Sequence, residues 1–228
     1  MSSFSPTRPW PVPTRPWIMR MEWHDLLFMH WPLPATLVRP LIPAALQLDT
    51  FDGWAWIGVV PFTMRGVRPR LAPTMPLLSA FCELNVRTYV TAEHKPGVWF
   101  FSLDAANPLA VRAARLAFRL PYYDARMDST RIGDDVHYQS VRTHRLVGPA
   151  VLEVSYRPTG PAGAAPAGSL EHWLTARYCL YAADRHERAW RGDIDHAPWP
   201  LQAAEAEIRR NTMTTPLHLT LPGQPPLL

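Results

Sequence analysis

The chain has 228 residues, of which 47% are hydrophobic and 11% aromatic, so it can bury a substantial core and is not intrinsically disordered. Its formal charge of +4 comes almost wholly from arginine, because Lys95 is the only lysine. The arginines are scattered, whereas a nucleic-acid-binding protein normally carries its basic residues in a cluster or stripe. The composition therefore argues against a nucleic-acid partner.

No apolar stretch approaches the roughly 18 residues of a membrane-spanning helix, and no secretory leader is recognisable. The two cysteines and the dispersed histidines lack the spacing of a metal site, and no Gly-rich phosphate loop or Rossmann fingerprint is present. The sequence thus predicts a soluble, cytoplasmic protein with buried free thiols. It predicts no cofactor, no metal and no membrane partner, and it leaves a homo-oligomer open.

The chain contains 26 prolines, and several of them lie near its two ends. Five prolines make residues 1–16 an expected extended arm, and residues 222–228 an expected tail. Between them, residues 17–221 are predicted to form a single domain, in which the Pro/Gly-rich segment 158–168 is a loop.

Hydrophobic alternation predicts strands in the first half of the chain, and turn residues delimit them. The expected order is a strand over 19–29, a short helix in 34–43, a strand after Asp52-Gly53 reaching 64, a Pro/Arg loop over 65–76, a strand over 81–92, a turn at 93–97 and an antiparallel return over 98–104.

The second half is predicted to contain two helices and further strands. Asn107-Pro108 is typical of a helix start, because asparagine caps free N–H groups and proline fits the first helical position. A second helix is expected over 200–210, and further strands over 121–127, 136–143, 151–157, 174–183 and 186–193. Eight to ten strands joined by sequential hairpins favour an α+β, mainly antiparallel fold, a curved sheet or barrel with peripheral helices.

The run FCELNVRTYV, residues 81–90, is the strongest functional signal. In an extended strand Glu83, Asn85, Arg87 and Tyr89 share one face, opposite an apolar face. Such polar side chains are costly to bury without partners, so this face is either the wet outside of a sheet or the lining of a polar cavity.

In the cavity interpretation Glu83 and Arg87 are the candidate catalytic residues, paired or nearly so. Arg87 would bind a carboxylate or carbonyl oxygen, and Glu83 would act as a general acid or base. The alternatives are a structural salt bridge on an outer face and a buried pair that only fixes strand register. Asn85 and Tyr89 are the candidate ligand-binding residues of the same strand.

Two further residues are candidates for ligand binding. Arg177, in LTARYCLYA, is either a second inward cation or an outward charge between aromatic residues. His30, at the end of the first predicted strand, is either a residue at the mouth of the site or a hydrogen-bonded structural histidine. For Tyr122 and Tyr123 packing is favoured over a role in the cavity.

Several runs together resemble the uncharacterised bacterial YqjF-like family, placed in the acetoacetate decarboxylase-like superfamily. They are HDLLFMHWPLPATLVRPLIPAALQLDTFDGWAWIGVVPF, FCELNVRTYV, GVWFFSLDA, LPYYDARM, LTARYCLYA and PWPLQAAEAEI. The resemblance spans about residues 17–215. It implies a closed, antiparallel barrel-like sheet with an interior cavity, and it implies no settled activity.

The superfamily's decarboxylase forms a Schiff base through a lysine beside a second lysine. This chain has no lysine pair, and Lys95 lies at a predicted hairpin tip. We therefore expect a cavity for a small acidic or oxo-acid-like ligand and, if the protein is an enzyme, acid/base chemistry of the lyase or hydrolase type without an imine. A non-catalytic carrier or sensor, and a structural or oligomer-interface protein with a filled cavity, are the alternatives.

Overall fold

A computed structural model describes residues 8–75, 79–145, 147–184, 186 and 188–228. Twelve strands form its framework, and the residues 1–7 of the predicted arm lie outside the described part. The strands are β1 (Met19–His24), β2 (Met29–Pro34), β3 (Gln47–Leu48), β4 (Trp54–Pro69), β5 (Phe81–Ala92), β6 (Lys95–Ala105), β7 (Tyr122–Ile132), β8 (Asp135–Arg142), β9 (Val151–Pro158), β10 (Cys179–Ala183), β11 (Ala189–Asp193) and β12 (Ala204–Asn211).

Three short α-helices accompany the strands within the described residues: α1 (Ala35–Val38), α2 (Pro108–Phe118) and α3 (Leu170–Thr175). Single 3-10 turns follow α1 and β12. The start of α2 is as predicted, with the Asn107 side chain accepting hydrogen bonds from the backbone N–H groups of Leu109 and Ala110 at 3.1 Å. None of the described helices is long and apolar enough to cross a membrane.

The strands form one sheet in the order β1-β4-β5-β6-β7-β8-β9-β12, with β2 beside β4, β3 beside β5, and the β10–β11 hairpin attached to β6. Most pairs are antiparallel, as predicted. The β6–β7 and β6–β10 pairs are parallel, and α2 is a crossover between β6 and β7, which the expectation of hairpins alone had missed. Within the described residues β1 and β12 are not paired, so the sheet is open and the predicted closed barrel is not confirmed.

The main core lies between the apolar face of β5 and strands β8 and β9. Leu84 and Val86 of β5 belong to the same buried cluster as Val136 of β8 and Leu152 of β9. Strands distant in the chain thus cover this apolar face, because the long sheet folds back on itself. The opposite, polar face of β5 is also covered, by other segments of the chain.

The predicted helix over 200–210 is wrong, since these residues contain β12, which pairs antiparallel with β9. The glutamates and alanines of this segment favour a helix, but the sequence also alternates. Ala204, Ala206 and Ile208 pack against the core, whereas the intervening Glu205 and Glu207 are exposed. Burial of this face and pairing with β9 outweigh a weak helical propensity.

Other boundaries differ for similar reasons. The expected strand over 19–29 is two strands, β1 and β2, and both pair with β4. The expected loop over 65–76 is partly strand, because β4 continues to Pro69 against β1. The expected strand over 174–183 is shorter, with α3 ending at Thr175 and β10 beginning at Cys179.

Candidate functional site

The polar face of β5 is buried, not wet. The exposed fractions are 2% for Glu83, 1% for Asn85, 5% for Arg87 and 0% for Tyr89, so the outer-face interpretation is wrong. Trp173 of α3 covers Tyr89, with ring centroids 4.9 Å apart. We call this row of four side chains the polar strip.

The two ends of the polar strip are separate. Glu83 and Arg87 are four residues apart on one strand, which places their Cα atoms roughly 13 Å from each other. No ion pair joins them in the described part of the chain, and the environment of the Glu83 carboxyl is set by Tyr122 and Asp104. The predicted Glu83–Arg87 pair is therefore not formed, because its partners lie at opposite ends of the strip.

The arginine end of the strip surrounds Tyr89. The guanidinium carbon of Arg177 lies 4.7 Å from the centre of the Tyr89 ring, and that of Arg87 lies 5.7 Å from it. The Tyr89 hydroxyl is hydrogen-bonded to His30 Nε2 at 2.7 Å. The structure thus brings together four candidate residues from three parts of the sequence. They are His30, Arg87, Tyr89 and Arg177, and we call them the arginine cluster.

Arg177 points inward, which agrees with the inward cation of the two alternatives and not with the outward charge. It lies between α3 and β10 and not in a strand. Its Nε donates to the carbonyl oxygen of Trp173 at 2.7 Å, and its Nη1 donates to Asp49 Oδ2 at 2.6 Å. Its Nη2 is buried without a partner in the protein. One of its donors is thus free for a ligand.

Arg87 is the less compensated of the two cations. Within the described residues it forms no ion pair, its Nε is buried without a partner, and its guanidinium lies 5.0 Å from the centre of the Phe28 ring. An aromatic face attracts a cation, but it does not replace a counter-charge. Arg87 therefore lacks the anion that a buried guanidinium normally has.

His30 adds no charge. It is 1% exposed and lies within β2, which agrees with the hydrogen-bonded structural histidine of the two alternatives and not with a residue at the mouth of the site. Burial, and secondarily the positive charge of Arg87, hold the pKa of the imidazole well below its ordinary value. With His30 neutral, the two arginines of the cluster and the one carboxylate that contacts them among the described residues, that of Asp49, carry a net charge of +1.

Gly58 of β4 makes this arrangement possible. It lies opposite both His30 of β2 and Arg87 of β5 in the sheet. A Cβ atom at this position would meet His30 Nε2 at 3.0 Å and Arg87 Cγ at 3.1 Å. The absence of a side chain at residue 58 therefore allows the imidazole and the arginine stem to lie side by side.

The middle of the strip is Asn85. Both its Oδ1 and its Nδ2 are buried without a partner in the protein, and its neighbours across the sheet, Val60 and Leu103, are apolar. An amide in this environment offers one donor and one acceptor to a ligand. With Arg87 Nε, the strip thus has three unpartnered polar atoms, and Arg177 Nη2 beside it is a fourth. Each costs about 1–3 kcal/mol if it stays without a partner.

At the other end, Glu83 is an acid held in its neutral form. The Tyr122 hydroxyl donates to Glu83 Oε2 at 3.0 Å. Burial raises the pKa of the carboxyl to about 8, the hydrogen bond from Tyr122 opposes this shift, and the charge of Asp104 adds to it. At neutral pH Glu83 is therefore suited to donate a proton, not to accept one.

Asp104, close to Glu83, has its own counter-ion. Arg142 forms hydrogen bonds of 2.7 to 3.1 Å with both carboxylate oxygens of Asp104, and the two side chains are 3% and 0% exposed. This is a bidentate buried ion pair, and it is electrically neutral as a unit. It contrasts with Arg87, a similarly buried arginine without a carboxylate.

Sequence reasoning missed Asp49, Trp173, Tyr122 and the Asp104–Arg142 pair as parts of the site. Tyr122 was assigned to packing, although its position directly after Pro121 at a strand start left its hydroxyl free to point inward. Lys95 does not belong to the strip. It begins β6 at the far end of the hairpin, with its Nζ 5.9 Å from the centre of the Trp10 ring.

We predict that Arg87→Met leaves the free energy of unfolding unchanged or raises it by up to about 2 kcal/mol, since it removes a buried charge without a counter-ion. The matched control is Arg142→Met, which strands the buried Asp104 carboxylate and should cost about 3–5 kcal/mol. Urea unfolding of both variants measures the difference. Equal destabilisation by the two substitutions would show that Arg87 is compensated within the protein.

We predict that Glu83→Gln removes part of the pH dependence of stability. A folded-state pKa of about 8 against an ordinary value of 4.5 means that the folded protein keeps a proton that the unfolded chain releases between these values. The free energy of unfolding of the wild type should therefore fall by roughly 1.4 kcal/mol per pH unit in this window from Glu83 alone, and level off above it.

Denaturant unfolding between pH 5 and pH 9 tests this. The Glu83→Gln variant should gain stability relative to the wild type as the pH rises. Glu22→Gln, at a carboxyl that is 60% exposed, is the control and should show no such trend. Parallel pH profiles of wild type and Glu83→Gln would contradict the raised pKa.

Comparison with known proteins agrees with this fold and assigns a family. The DUF2071 family, described as an uncharacterized conserved protein (COG2071), matches residues 20–228. The chain is 47% identical over 217 residues to the uncharacterized protein YqjF of Bacillus subtilis strain 168, covering 95% of this chain and 88% of that protein.

Solved structures resemble the fold at low sequence identity. The acetoacetate decarboxylase of Legionella pneumophila superimposes with a TM-score of 0.56 at 12% identity, covering 92% of this chain and 81% of that one. The enduracididine biosynthesis enzyme MppR does so with a TM-score of 0.59 at 13% identity, covering 87% and 77%. The framework is therefore acetoacetate decarboxylase-like, and the chain belongs to the DUF2071 family, together with YqjF.

Proposed function

We propose that the protein binds a small organic carboxylate, of the oxo-acid type, along the polar strip. The ligand would lie between β5 and the segments that cover it, with its carboxylate at Arg87 and Arg177. The observation that carries this proposal is the net charge of +1 of the arginine cluster and Asp49, the one carboxylate that contacts the two buried guanidinium groups in the described part of the chain. A bound anion would remove that imbalance.

The unpartnered atoms give the orientation of the ligand. Arg87 Nε and Arg177 Nη2 offer donors to a carboxylate, and the Asn85 amide offers a donor to a carbonyl oxygen one step along the strand. That step is about 6–7 Å between Cα atoms. A carboxylate and an oxo group on one short ligand would satisfy both positions.

Two solved structures with the same fold support an oxo acid. MppR has been crystallised in complex with pyruvate, and a second neighbour is an acetoacetate decarboxylase. At 11–12% identity, what these two proteins bind or act on does not carry over to this chain by itself. They add weight to a ligand class that the charges of the strip favour independently.

If the protein is an enzyme, Glu83 would act as a general acid beyond the Asn85 end of the ligand, and the chemistry would proceed without an imine. Lys95 is the only lysine of the chain and lies outside the strip. A protonated carboxyl beside Tyr122 can give a proton to a developing enolate or alcoholate. A lyase- or hydrolase-type reaction fits a general acid of this kind.

A carrier or sensor is the second candidate. The observation that favours it is the separation of Glu83 from the arginine cluster, roughly 13 Å between the Cα atoms of Glu83 and Arg87. A short oxo acid held at the arginine cluster would then not reach the acid. Cytoplasmic location and homo-oligomer formation stay predictions.

Titration calorimetry with pyruvate and acetoacetate tests the binding proposal. We expect both to bind the wild type and neither to bind Arg87→Met, while the methyl ester of pyruvate, which lacks the charge, should not bind. Glu22→Gln should bind like the wild type. Equal binding of acid and ester, or no binding of either acid, would contradict a carboxylate site at the strip.

Hydrogen–deuterium exchange at the methyl group of bound pyruvate, followed by NMR in D2O, separates enzyme from carrier. An acid/base enzyme should catalyse the exchange, with Glu83 giving a proton to the oxo oxygen while solvent takes up a methyl proton, and Glu83→Gln should bind pyruvate but lose the catalysis. A carrier should bind pyruvate and leave the exchange rate at its value in buffer.

A further inference from the structure

A concave site lies away from the polar strip. It has a volume of about 510 Å³, within the range of small-molecule sites, and it opens where the end of α2, the start of β7 and strand β10 meet β6. Its walls include the aromatic side chains of Trp99, Phe101, Tyr123 and Tyr181. We call it the β6 cleft.

The cleft exists because the sheet is interrupted. On one side of β6, strand β10 pairs with Val98 and Trp99, and strand β7 pairs with Leu103 to Ala105. Residues 100–102 of β6 therefore have no strand beside them on this side, and the two parallel neighbours diverge around them. The interruption leaves a concave gap lined by aromatic residues of β6, β7 and β10 and by two arginines of α2.

Two arginines stand at the rim of the cleft. Arg115 and Arg119 are one helical turn apart near the end of α2, and both line the cleft. Arg115 Nη1 donates to the carbonyl oxygen of Tyr122 at 3.1 Å and to His144 Nε2 at 2.9 Å. Its charge thus has no carboxylate in direct contact among the described residues.

The charge of Arg119 is only loosely compensated. Its Nη1 lies 3.8 Å from Asp184 Oδ2, and the same carboxylate is held more closely by Arg188 at 3.0 Å. Asp124 accepts a hydrogen bond from His144 Nδ1 at 2.9 Å. Among the described residues, therefore, Arg115 contacts no carboxylate, and the carboxylate near Arg119 is shared with a second arginine.

We propose that the β6 cleft binds an amphipathic organic anion, a flat apolar body with one carboxylate or sulfonate group. The aromatic walls would hold the body, and Arg115 and Arg119 would hold the anionic group. This site is independent of the polar strip, because none of the strip residues lines the cleft. It would give the protein a second ligand of larger apolar surface than an oxo acid.

The fluorescent probe 1-anilinonaphthalene-8-sulfonate has this chemistry and tests the proposal on the folded protein. We expect saturable binding at one site. Arg115→Gln and Arg119→Gln should each raise the dissociation constant about tenfold, because each removes one charge-assisted hydrogen bond. Arg112→Gln is the matched control, since Arg112 is exposed on the same helix and does not line the cleft.

Two further measurements locate the probe. Arg87→Met should bind it as the wild type does, and the uncharged analogue N-phenyl-1-naphthylamine should bind more weakly than the sulfonate. Circular dichroism of each variant confirms that probe fluorescence does not report unfolding. The proposal is overturned if Arg112→Gln weakens binding as much as Arg119→Gln, if Arg87→Met alone abolishes it, or if the neutral analogue binds as tightly.

Discussion

A buried positive charge without a matching anion is the constraint on which the site depends. Arg87 and Arg177 both face Tyr89 in the interior, and Asp49 is the one carboxylate in direct contact with them among the described residues. Removing a guanidinium group from water is costly, and an incomplete set of partners leaves that cost uncompensated. The proposed ligand anion would complete the set of partners, and without it the arrangement lowers the stability of the protein.

The rest of the strip is organised around that charge. Arg87 contributes to keeping His30 neutral, and the neutral imidazole can then share a hydrogen bond with Tyr89 without adding to the repulsion. Farther along β5, burial keeps Glu83 protonated, so that no carboxylate of the strip itself neutralises the arginines. The anionic Asp104 is in turn neutralised by Arg142. The charges of Asp104 and Arg142 thus neutralise each other, whereas the charge of Arg87 has no carboxylate in contact with it among the described residues.

The sequence predicted the parts of this site that lie on one strand. Alternation along β5 placed Glu83, Asn85, Arg87 and Tyr89 on one face, and the structure has them there. It could not predict which face of β5 would be covered by strands and which by α3, because that depends on how the long sheet folds back. The helix expected over 200–210 failed for a related reason, since pairing with β9 decided its structure.

Partners distant in the chain were also beyond prediction. Asp49 and Arg177 are 128 residues apart, and Glu83 and Tyr122 are 39 apart. The sequence contains no local pattern that links either pair. The expected Glu83–Arg87 contact was based only on their shared strand face, and the rise along a strand places the two residues too far apart for it.

The central claim is that Arg87 has a free donor directed at a ligand anion. The ¹H–¹⁵N resonance of the Arg87 Nε–H group, assigned by its loss in Arg87→Met, reports on this donor directly. On titration with pyruvate the account predicts a saturable downfield shift of that resonance and no comparable shift for the Arg142 Nε–H group, which is already bound to Asp104. An Arg87 resonance that does not move while pyruvate binds would contradict the account.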